Sequence, residues 1–247
     1  MTKAYFKNRK PKTVLLFGAL CISLFLSGCK PSVENPQPQP TPTTYPHEPA
    51  PTNPGEALAR LQQGNERFVA GNPRHDHETD ARRKELVAGQ HPFATILSCS
   101  DSRVPSELVF DQGLGDLFVV RVAGNVAAPG GIGSIEYAVV HVHTPLVLVL
   151  GHESCGAITA ALLPEAERKK EPKGIQDLLD MIVPSLKDID PKLSPPEQVS
   201  KGVEANVRAT MLRLQNMPEL KGEIDAGRLK IVGGVYELGT GKVRLLN

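Results

Sequence analysis

Four short apolar runs are spaced along the chain, and helical patterns separate them. The runs occupy residues 93–98, 117–122, 146–151 and 229–235, and each is rich in branched aliphatic side chains. Continuous apolar runs of this length are typical of strands buried on both faces of a parallel sheet. Because the runs alternate with helices, the pattern predicts an α/β fold with a mostly parallel central β-sheet flanked by helices and joined by right-handed crossovers.

The helical patterns begin with an N-terminal helical arm at residues 56–69, where the apolar side chains fall on one side of a 3.6-residue period. Further helices are expected at residues 106–110, 131–141, 156–162 and 175–217, the last broken near Pro191, Pro195 and Pro196. At the C-terminus, a Gly-Thr-Gly turn at residues 239–241 separates two alternating segments. This arrangement predicts a hairpin at the edge of the sheet.

The first 28 residues have the pattern of a targeting segment. Five basic side chains precede an apolar run at residues 14–26, and the run ends in the sequence LSGC at residues 26–29. A basic start, a short apolar core and a small-residue end are typical of a secretory signal. The sequence LSGC is similar to the bacterial lipobox, which implies removal of residues 1–28 and lipidation of Cys29. An uncleaved N-terminal anchor is the alternative interpretation.

A proline-rich tether is expected to follow the lipidated cysteine over residues 29–54. Nine prolines lie among polar residues between Lys30 and Pro54, so this stretch cannot form a core and favours an extended, semi-rigid chain. The lysine directly after the cysteine resembles the Gram-negative pattern for sorting to the outer membrane, facing the periplasm. The remaining residues, 55–247, are predicted to form one globular domain.

Charge and composition narrow the possible partners. The formal net charge is +1, but the signal segment carries five basic residues and no acid, so residues 29–247 carry −4. This balance argues against a nucleic-acid partner. Aromatic residues make up 4% of the chain and tryptophan is absent, so aliphatic side chains must fill the core. That composition agrees with the predicted α/β fold.

Two polar clusters follow two of the predicted strands. Cys99 comes directly after the first strand, and Gly151, His152 and Cys155 come at the end of the third. Because ligand-binding groups collect at the carboxyl ends of parallel strands, we expect the two clusters to meet at one edge of the sheet. Two thiolates and one imidazole suit zinc and leave a fourth coordination position open. A Cys99–Cys155 disulfide, which an exported chain permits, is the alternative.

The residues after Cys99 supply a candidate ion pair. Asp101 stands two residues beyond the cysteine and Arg103 two residues further. The arginine fork matches a carboxylate and would keep Asp101 ionised and turned away from the metal, where it could orient a nucleophile. Without that pairing, Asp101 could become a fourth metal ligand and close the site.

The sequences CSDSRV at residues 99–104 and GHESCG at residues 151–156 together resemble the β-class carbonic anhydrases. The resemblance spans residues 56–246, with supporting matches in GNERF at 64–68, GIGSIEYAV at 131–139 and ANV at 205–207, which is expected to open the last long helix. It implies a zinc enzyme for the reversible hydration of CO₂ to bicarbonate. Hydrolysis of COS or CS₂ on the same scaffold, and a non-catalytic zinc or thiol redox module, are the alternatives.

The resemblance also assigns residues. It implies one Zn²⁺ per chain held by Cys99, His152 and Cys155, an Asp101–Arg103 dyad, and a substrate pocket made by Gln90, Phe118, Tyr137 and Gly156. Sites of this family lie at a dimer interface, so a homodimer or homotetramer is expected, with Gln90 facing Phe118 and Tyr137 of the other chain. One subtype closes its site with the aspartate and has a tryptophan where this chain has Ile96. The open subtype is therefore favoured.

Overall fold

The computed structural model describes residues 50–246 of the 247-residue chain. The predicted signal peptide (residues 1–28), the lipidation site Cys29 and the tether up to residue 49 lie outside the described residues. Between residues 50 and 246, no helix is both long enough and apolar enough to cross a membrane.

A five-stranded sheet forms the centre of the domain, in the order β2-β1-β3-β4-β5. The strands are β1 (Ala94–Ser98), β2 (Leu117–Arg121), β3 (Leu146–His152), β4 (Lys230–Tyr236) and β5 (Val243–Leu246). The first four are parallel, and β5 is antiparallel to β4. The predicted parallel sheet and the C-terminal hairpin at its edge are therefore confirmed. The hairpin is closed by backbone hydrogen bonds between Glu237 and Lys242 and between Gly241 and Glu237, both 2.8 Å.

Helices cover both faces of the sheet within the described part of the chain. They are α1 (Pro54–Val69), α2 (Asp80–Glu85), α3 (Ser106–Val109), α4 (Pro129–Val140), α5 (Gly156–Ala161), α6 (Glu165–Arg168), α7 (Lys173–Ile182), α8 (Pro195–Gln215) and α9 (Pro218–Asp225). Short 3₁₀ turns occupy Leu86–Ala88, Ala123–Asn125 and Val183–Leu186. The helical arm predicted at residues 56–69 corresponds to α1, which begins two residues earlier, after the capping residue Asn53.

Successive side chains of the central strands enter two separate hydrophobic clusters. On β3, Val147 and Val149 join a cluster with α4, α5, α7, α8 and α9, whereas Leu146, Leu148 and Leu150 join a second cluster with α1 and α3. This alternation follows from the two-residue period of a strand. All seven residues of β3 are buried, which explains why its sequence is continuously apolar.

The start of the last long helix was predicted wrongly. Residues 205–207 lie in the middle of α8, which begins at Pro195. The Ser194 and Glu197 side chains form a reciprocal capping box, and proline is well tolerated in the first turn because its missing N–H has no helical partner there. The predicted break near Pro191, Pro195 and Pro196 is confirmed, because residues 187–194 separate the two helical stretches and the prolines at 195 and 196 begin the second one.

Candidate metal centre

Three buried side chains that could bind a metal converge at the carboxyl edge of the sheet. Cys99 is the first residue after β1, His152 is the last residue of β3, and Cys155 caps the N-terminus of α5. The two sulfurs and a ring nitrogen of His152 lie within 4.8 Å of one another. The predicted meeting of the two polar clusters is confirmed. His152 and its neighbour Gly151 belong to the strand itself rather than to the segment after it.

The His152 ring is prepared to act as a ligand. Its Nδ1 lies 2.8 Å from the backbone carbonyl oxygen of Glu153. A carbonyl can only accept, so Nδ1 carries the proton and Nε2 presents its lone pair. The ring is fully buried, and Nε2 has no hydrogen-bond partner within residues 50–246. An unpaired buried nitrogen is costly unless something binds it, and a cation between the two sulfurs would do so.

Both cysteines are free, so the alternative of a Cys99–Cys155 disulfide is not formed in the structure. The hydrogen bond from the Cys155 thiol lowers the pKa of Cys99. The same contact, together with burial, raises the pKa of Cys155. The contact between the two sulfurs thus favours the thiolate at Cys99, and a positive charge nearby would favour the thiolate at both cysteines. This donor set fits a divalent metal ion.

Asp101 and Arg103 form a tight ion pair beside the ligands. The Arg103 side chain donates from Nε to Asp101 Oδ1 at 2.8 Å and from Nη2 to Oδ2 at 2.7 Å, and its backbone N–H donates to Oδ1 at 3.0 Å. These hydrogen bonds hold the pKa of Asp101 far below its usual range. Asp101 Oδ2 lies 3.9 Å from His152 Nε2. An ionised carboxylate therefore stands next to the cluster while its oxygens are engaged by arginine.

A second arginine, which the sequence reasoning missed, fixes the loop that carries these groups. Arg121, at the end of β2, donates from Nε to the carbonyl oxygen of Cys99 at 3.1 Å and from Nη2 to that of Asp101 at 2.6 Å. Its strand position, opposite Ser98, brings the side chain across the end of β1. The only sequence signal is a charged residue at the end of an otherwise apolar run.

The predicted pocket residues are brought together only in part. The Phe118 and Tyr137 rings lie 6.3 Å apart between centroids, and half of Tyr137 is exposed. Gly156 begins α5, directly after Cys155. Gln90 lies on an exposed stretch before β1. Within the described chain it makes no hydrogen bond with the other predicted site residues. The substrate role of these four residues stays a prediction.

Comparison with known proteins agrees with this geometry. Residues 94–243 match the carbonic anhydrase family. Carbonic anhydrase 2 of Mycobacterium tuberculosis is 42% identical over 198 residues, which cover 78% of this chain and 93% of that protein. The carbonic anhydrase of Mycolicibacterium smegmatis is 40% identical over 195 residues, with 78% and 94% covered.

Among solved structures, the β-carbonic anhydrase CcaA matches with a TM-score of 0.64 and 28% identity, covering 77% of this chain and 95% of that one. A tetrameric β-carbonic anhydrase of Sordaria macrospora matches with a TM-score of 0.62 and 25% identity, covering 78% and 96%. The fold and the site define an α/β enzyme with a candidate metal centre at the carboxyl edge of its sheet. The chain belongs to the carbonic anhydrase family, in its β class.

Proposed function

We propose that this chain is a zinc enzyme that catalyses the reversible hydration of CO₂ to bicarbonate and a proton. The observation that carries the proposal is the buried cluster of Cys99, His152 and Cys155, with an unpaired His152 Nε2 and an ionised Asp101 beside it. The relatives named carbonic anhydrase support the reaction.

Zinc fits the donor set better than a hard cation does. Two soft sulfurs and one imidazole nitrogen are ligands that zinc prefers, and three protein ligands leave one coordination position for a water molecule or substrate. When bound there, zinc acts as a Lewis acid that makes water acidic enough to deliver hydroxide near neutral pH. The Nδ1–H bond to the Glu153 carbonyl orients the His152 ring for this role.

Asp101 orients the nucleophile. Because Arg103 keeps its carboxylate ionised, Asp101 can only accept hydrogen bonds, and accepting one from the attacking oxygen turns a lone pair towards the carbon of CO₂. The arginine also engages both carboxylate oxygens in hydrogen bonds, so we do not expect Asp101 to bind the metal. Bicarbonate then leaves, and the proton passes to the bulk buffer.

The substrate pocket is proposed to be completed by a second copy of the chain. Gln90 would face Phe118 and Tyr137 of the partner subunit and donate to a CO₂ oxygen as negative charge develops there. The exposure of Tyr137 and Val140, 51% and 39%, supports a covered surface at this position. A homodimer or homotetramer follows, and the Sordaria enzymes are tetrameric.

The proposed location is a bacterial membrane, through lipid on Cys29, with the domain exported and facing the periplasm from the outer membrane. The basic and apolar segments before Cys29 support export, and the proline-rich stretch of residues 30–54 would hold the domain away from the lipid surface. At up to about 3.1 Å per residue, an extended tether of this length reaches several nanometres.

Stopped-flow measurement of CO₂ hydration tests the proposed reaction. The purified chain should be active as isolated, lose activity when a strong chelator removes its metal, and regain activity with one equivalent of Zn²⁺. Full activity after verified metal removal would contradict the proposal. So would the absence of hydration by a chain that holds one zinc ion.

A further inference from the structure

The sulfur of Cys99 accepts a hydrogen bond from the backbone. The N–H of Gly124, in the 3₁₀ turn Ala123–Asn125, lies 3.3 Å from Cys99 Sγ. Hydrogen bonds to a thiolate withdraw electron density from the sulfur and so change how strongly it donates to a metal. The position of this one backbone amide therefore bears directly on the candidate metal centre.

The turn that presents the amide is intrinsically adaptable. Gly124 has φ +66°, a region that glycine enters freely, and an added Cβ would lie 2.8 Å from Ile182 Cδ1. A glycine in such a turn keeps its conformation only if the adjoining peptide groups are held. The N–H of Asn125 provides one restraint, since it donates to the Val122 carbonyl oxygen at 2.8 Å.

Asn206 provides the other restraint. Its side-chain Nδ2 donates to the carbonyl oxygen of Gly124 at 2.7 Å, so the peptide group between Gly124 and Asn125 is held at both ends. Asn206 lies in the middle of α8 and is 2% exposed. Without this donor, the buried carbonyl oxygen would lack a hydrogen bond, and the peptide group would be expected to rotate towards another donor.

The packing of α8 makes this reach possible. An added Cβ at Gly151 would lie 2.7 Å from Val207 Cγ2 and 3.0 Å from Val203 Cγ1. Only glycine at position 151 allows the helix to approach the end of β3 this closely. Asn206 lies between Val203 and Val207 on α8, so this close packing places the Asn206 side chain against the 3₁₀ turn.

We propose that Asn206 is a positioning residue for the metal ligand Cys99. It fixes the Gly124 turn so that the Gly124 N–H stays on the Cys99 sulfur, and it thereby sets the donor strength of that thiolate and the affinity of the site for its metal. The inference rests on the proposed function in requiring a metal bound by Cys99. Asn206, on α8 and 107 positions after Cys99 in the sequence, would thus help to determine the properties of the candidate metal centre.

Cobalt is a suitable probe because a thiolate bound to Co²⁺ gives a charge-transfer absorption in the near ultraviolet. The full-length chain is loaded with Co²⁺ as wild type and as Asn206→Leu, which has the same branched shape but cannot donate a hydrogen bond. Loss of the N–H bond should leave more electron density on the Cys99 sulfur and shift the band to longer wavelength. Cobalt affinity, measured by chelator competition, should nevertheless fall roughly tenfold to a hundredfold, because the sulfur is no longer held in position and this loss outweighs the stronger donation.

Asn65→Leu is the matched control. Asn65 is also buried, and its Nδ2 donates to the carbonyl oxygens of Val109 and Gly241, at 3.0 and 2.8 Å. Both variants lose amide bonds to backbone and should lose stability, but only Asn206→Leu should move the band. If Asn206→Leu does not fold, Asn206→Asp can replace it, because aspartate keeps the side-chain shape and, like leucine, loses the amide donor. The same band shift is then expected.

An unmoved band in the folded, cobalt-loaded Asn206 variant would overturn the inference. An equal shift in the Asn65 control would overturn it too, because the effect would then reflect general destabilisation. A wild-type chain that shows no thiolate-to-cobalt band would instead contradict the proposed metal centre. The two failures are therefore distinguishable.

Discussion

Arg103 donates two side-chain hydrogen bonds to the carboxylate of Asp101, at 2.8 and 2.7 Å, and turns one of its oxygens to within 3.9 Å of His152 Nε2. Both oxygens of this carboxylate are therefore engaged in hydrogen bonds next to the candidate metal centre. The carboxylate is a fixed hydrogen-bond acceptor, and the proposed mechanism uses it as one.

Asp101→Asn should keep zinc but lose most of its turnover, because an amide keeps the shape of the side chain but replaces an acceptor oxygen with a donor. We expect kcat for CO₂ hydration to fall by roughly a hundredfold or more. Stopped-flow kinetics and metal analysis on the same sample check this. Asp190→Asn is the matched control. Like Asp101, Asp190 accepts a hydrogen bond from the backbone N–H two residues later, that of Lys192, but it does not belong to the candidate metal centre. Equal turnover in the two variants would reject the role of Asp101.

Cys155→Ser should lose both zinc and stability. Serine is a poor zinc ligand at neutral pH, and metal binding contributes directly to the free energy of folding. Thermal unfolding of the wild type should shift to higher temperature on adding Zn²⁺ and to lower temperature with chelator. The variant should show neither shift. One tightly bound zinc ion per variant chain would mean that Cys155 is not a ligand.

Arg121→Met should loosen the loop that carries both Cys99 and Asp101. Methionine keeps the apolar stem of the side chain but donates to neither carbonyl. We expect zinc affinity to fall about tenfold, with a parallel loss in kcat. Arg121→Lys, which can reach one carbonyl at a time, should fall in between. Arg244→Met removes an exposed arginine paired with Glu204 and serves as the control. Wild-type zinc affinity in Arg121→Met would contradict this role of Arg121, because the loop would then keep its conformation without the two hydrogen bonds.

Glu197 should make the stability of the domain depend on pH at acidic values. Hydrogen bonds from the Ser194 side chain and backbone lower the pKa of Glu197 in the folded chain. Its charged form therefore contributes stability that is present above the unfolded pKa, about 4.3, and is lost as the pH falls through the lower folded value. Glu197→Gln keeps the capping geometry without a charge. The thermal midpoint of the wild type should exceed that of the variant at pH 7, and the difference should vanish at strongly acidic pH. A difference that stays constant across this range would reject the prediction.

Cys29→Ser should release the protein from membranes and leave CO₂ hydration unchanged, because the lipid anchors the domain and takes no part in the chemistry. Fractionation of cells that express the two forms, followed by activity measurements on each fraction, checks this. Continued membrane attachment of the variant would favour an uncleaved N-terminal anchor.

The sequence predicted the sheet and the meeting of Cys99, His152 and Cys155 because both follow from strong local signals. Continuous apolar runs mark β1 and β3, and the polar residues at their ends must meet when those strands are parallel. The short polar helices α2, α6 and α9 were not predicted, since they have little apolar periodicity. The start of α8 was misplaced at residues 205–207, which lie inside the helix, whereas the prolines at 195 and 196 mark its first turn.

Other parts of the site could not be predicted at all. Arg121 and Asn206 act through hydrogen bonds to backbone carbonyls of residues 20 or more positions away, and such bonds leave no pattern in the sequence. Their partners become visible only when the strands and α8 are assembled. The proposed substrate pocket depends on a second chain in the same way, because the proposal brings Gln90 and Tyr137 together across an interface.

X-ray absorption at the zinc edge of the purified chain tests the central claim most directly, since it reports the atoms bound to the metal. We predict two sulfur atoms at about 2.3 Å, one nitrogen at about 2.0–2.1 Å and one further light atom. A first shell of nitrogen and oxygen alone, or a chain that binds no zinc under metal-replete conditions, would contradict the account.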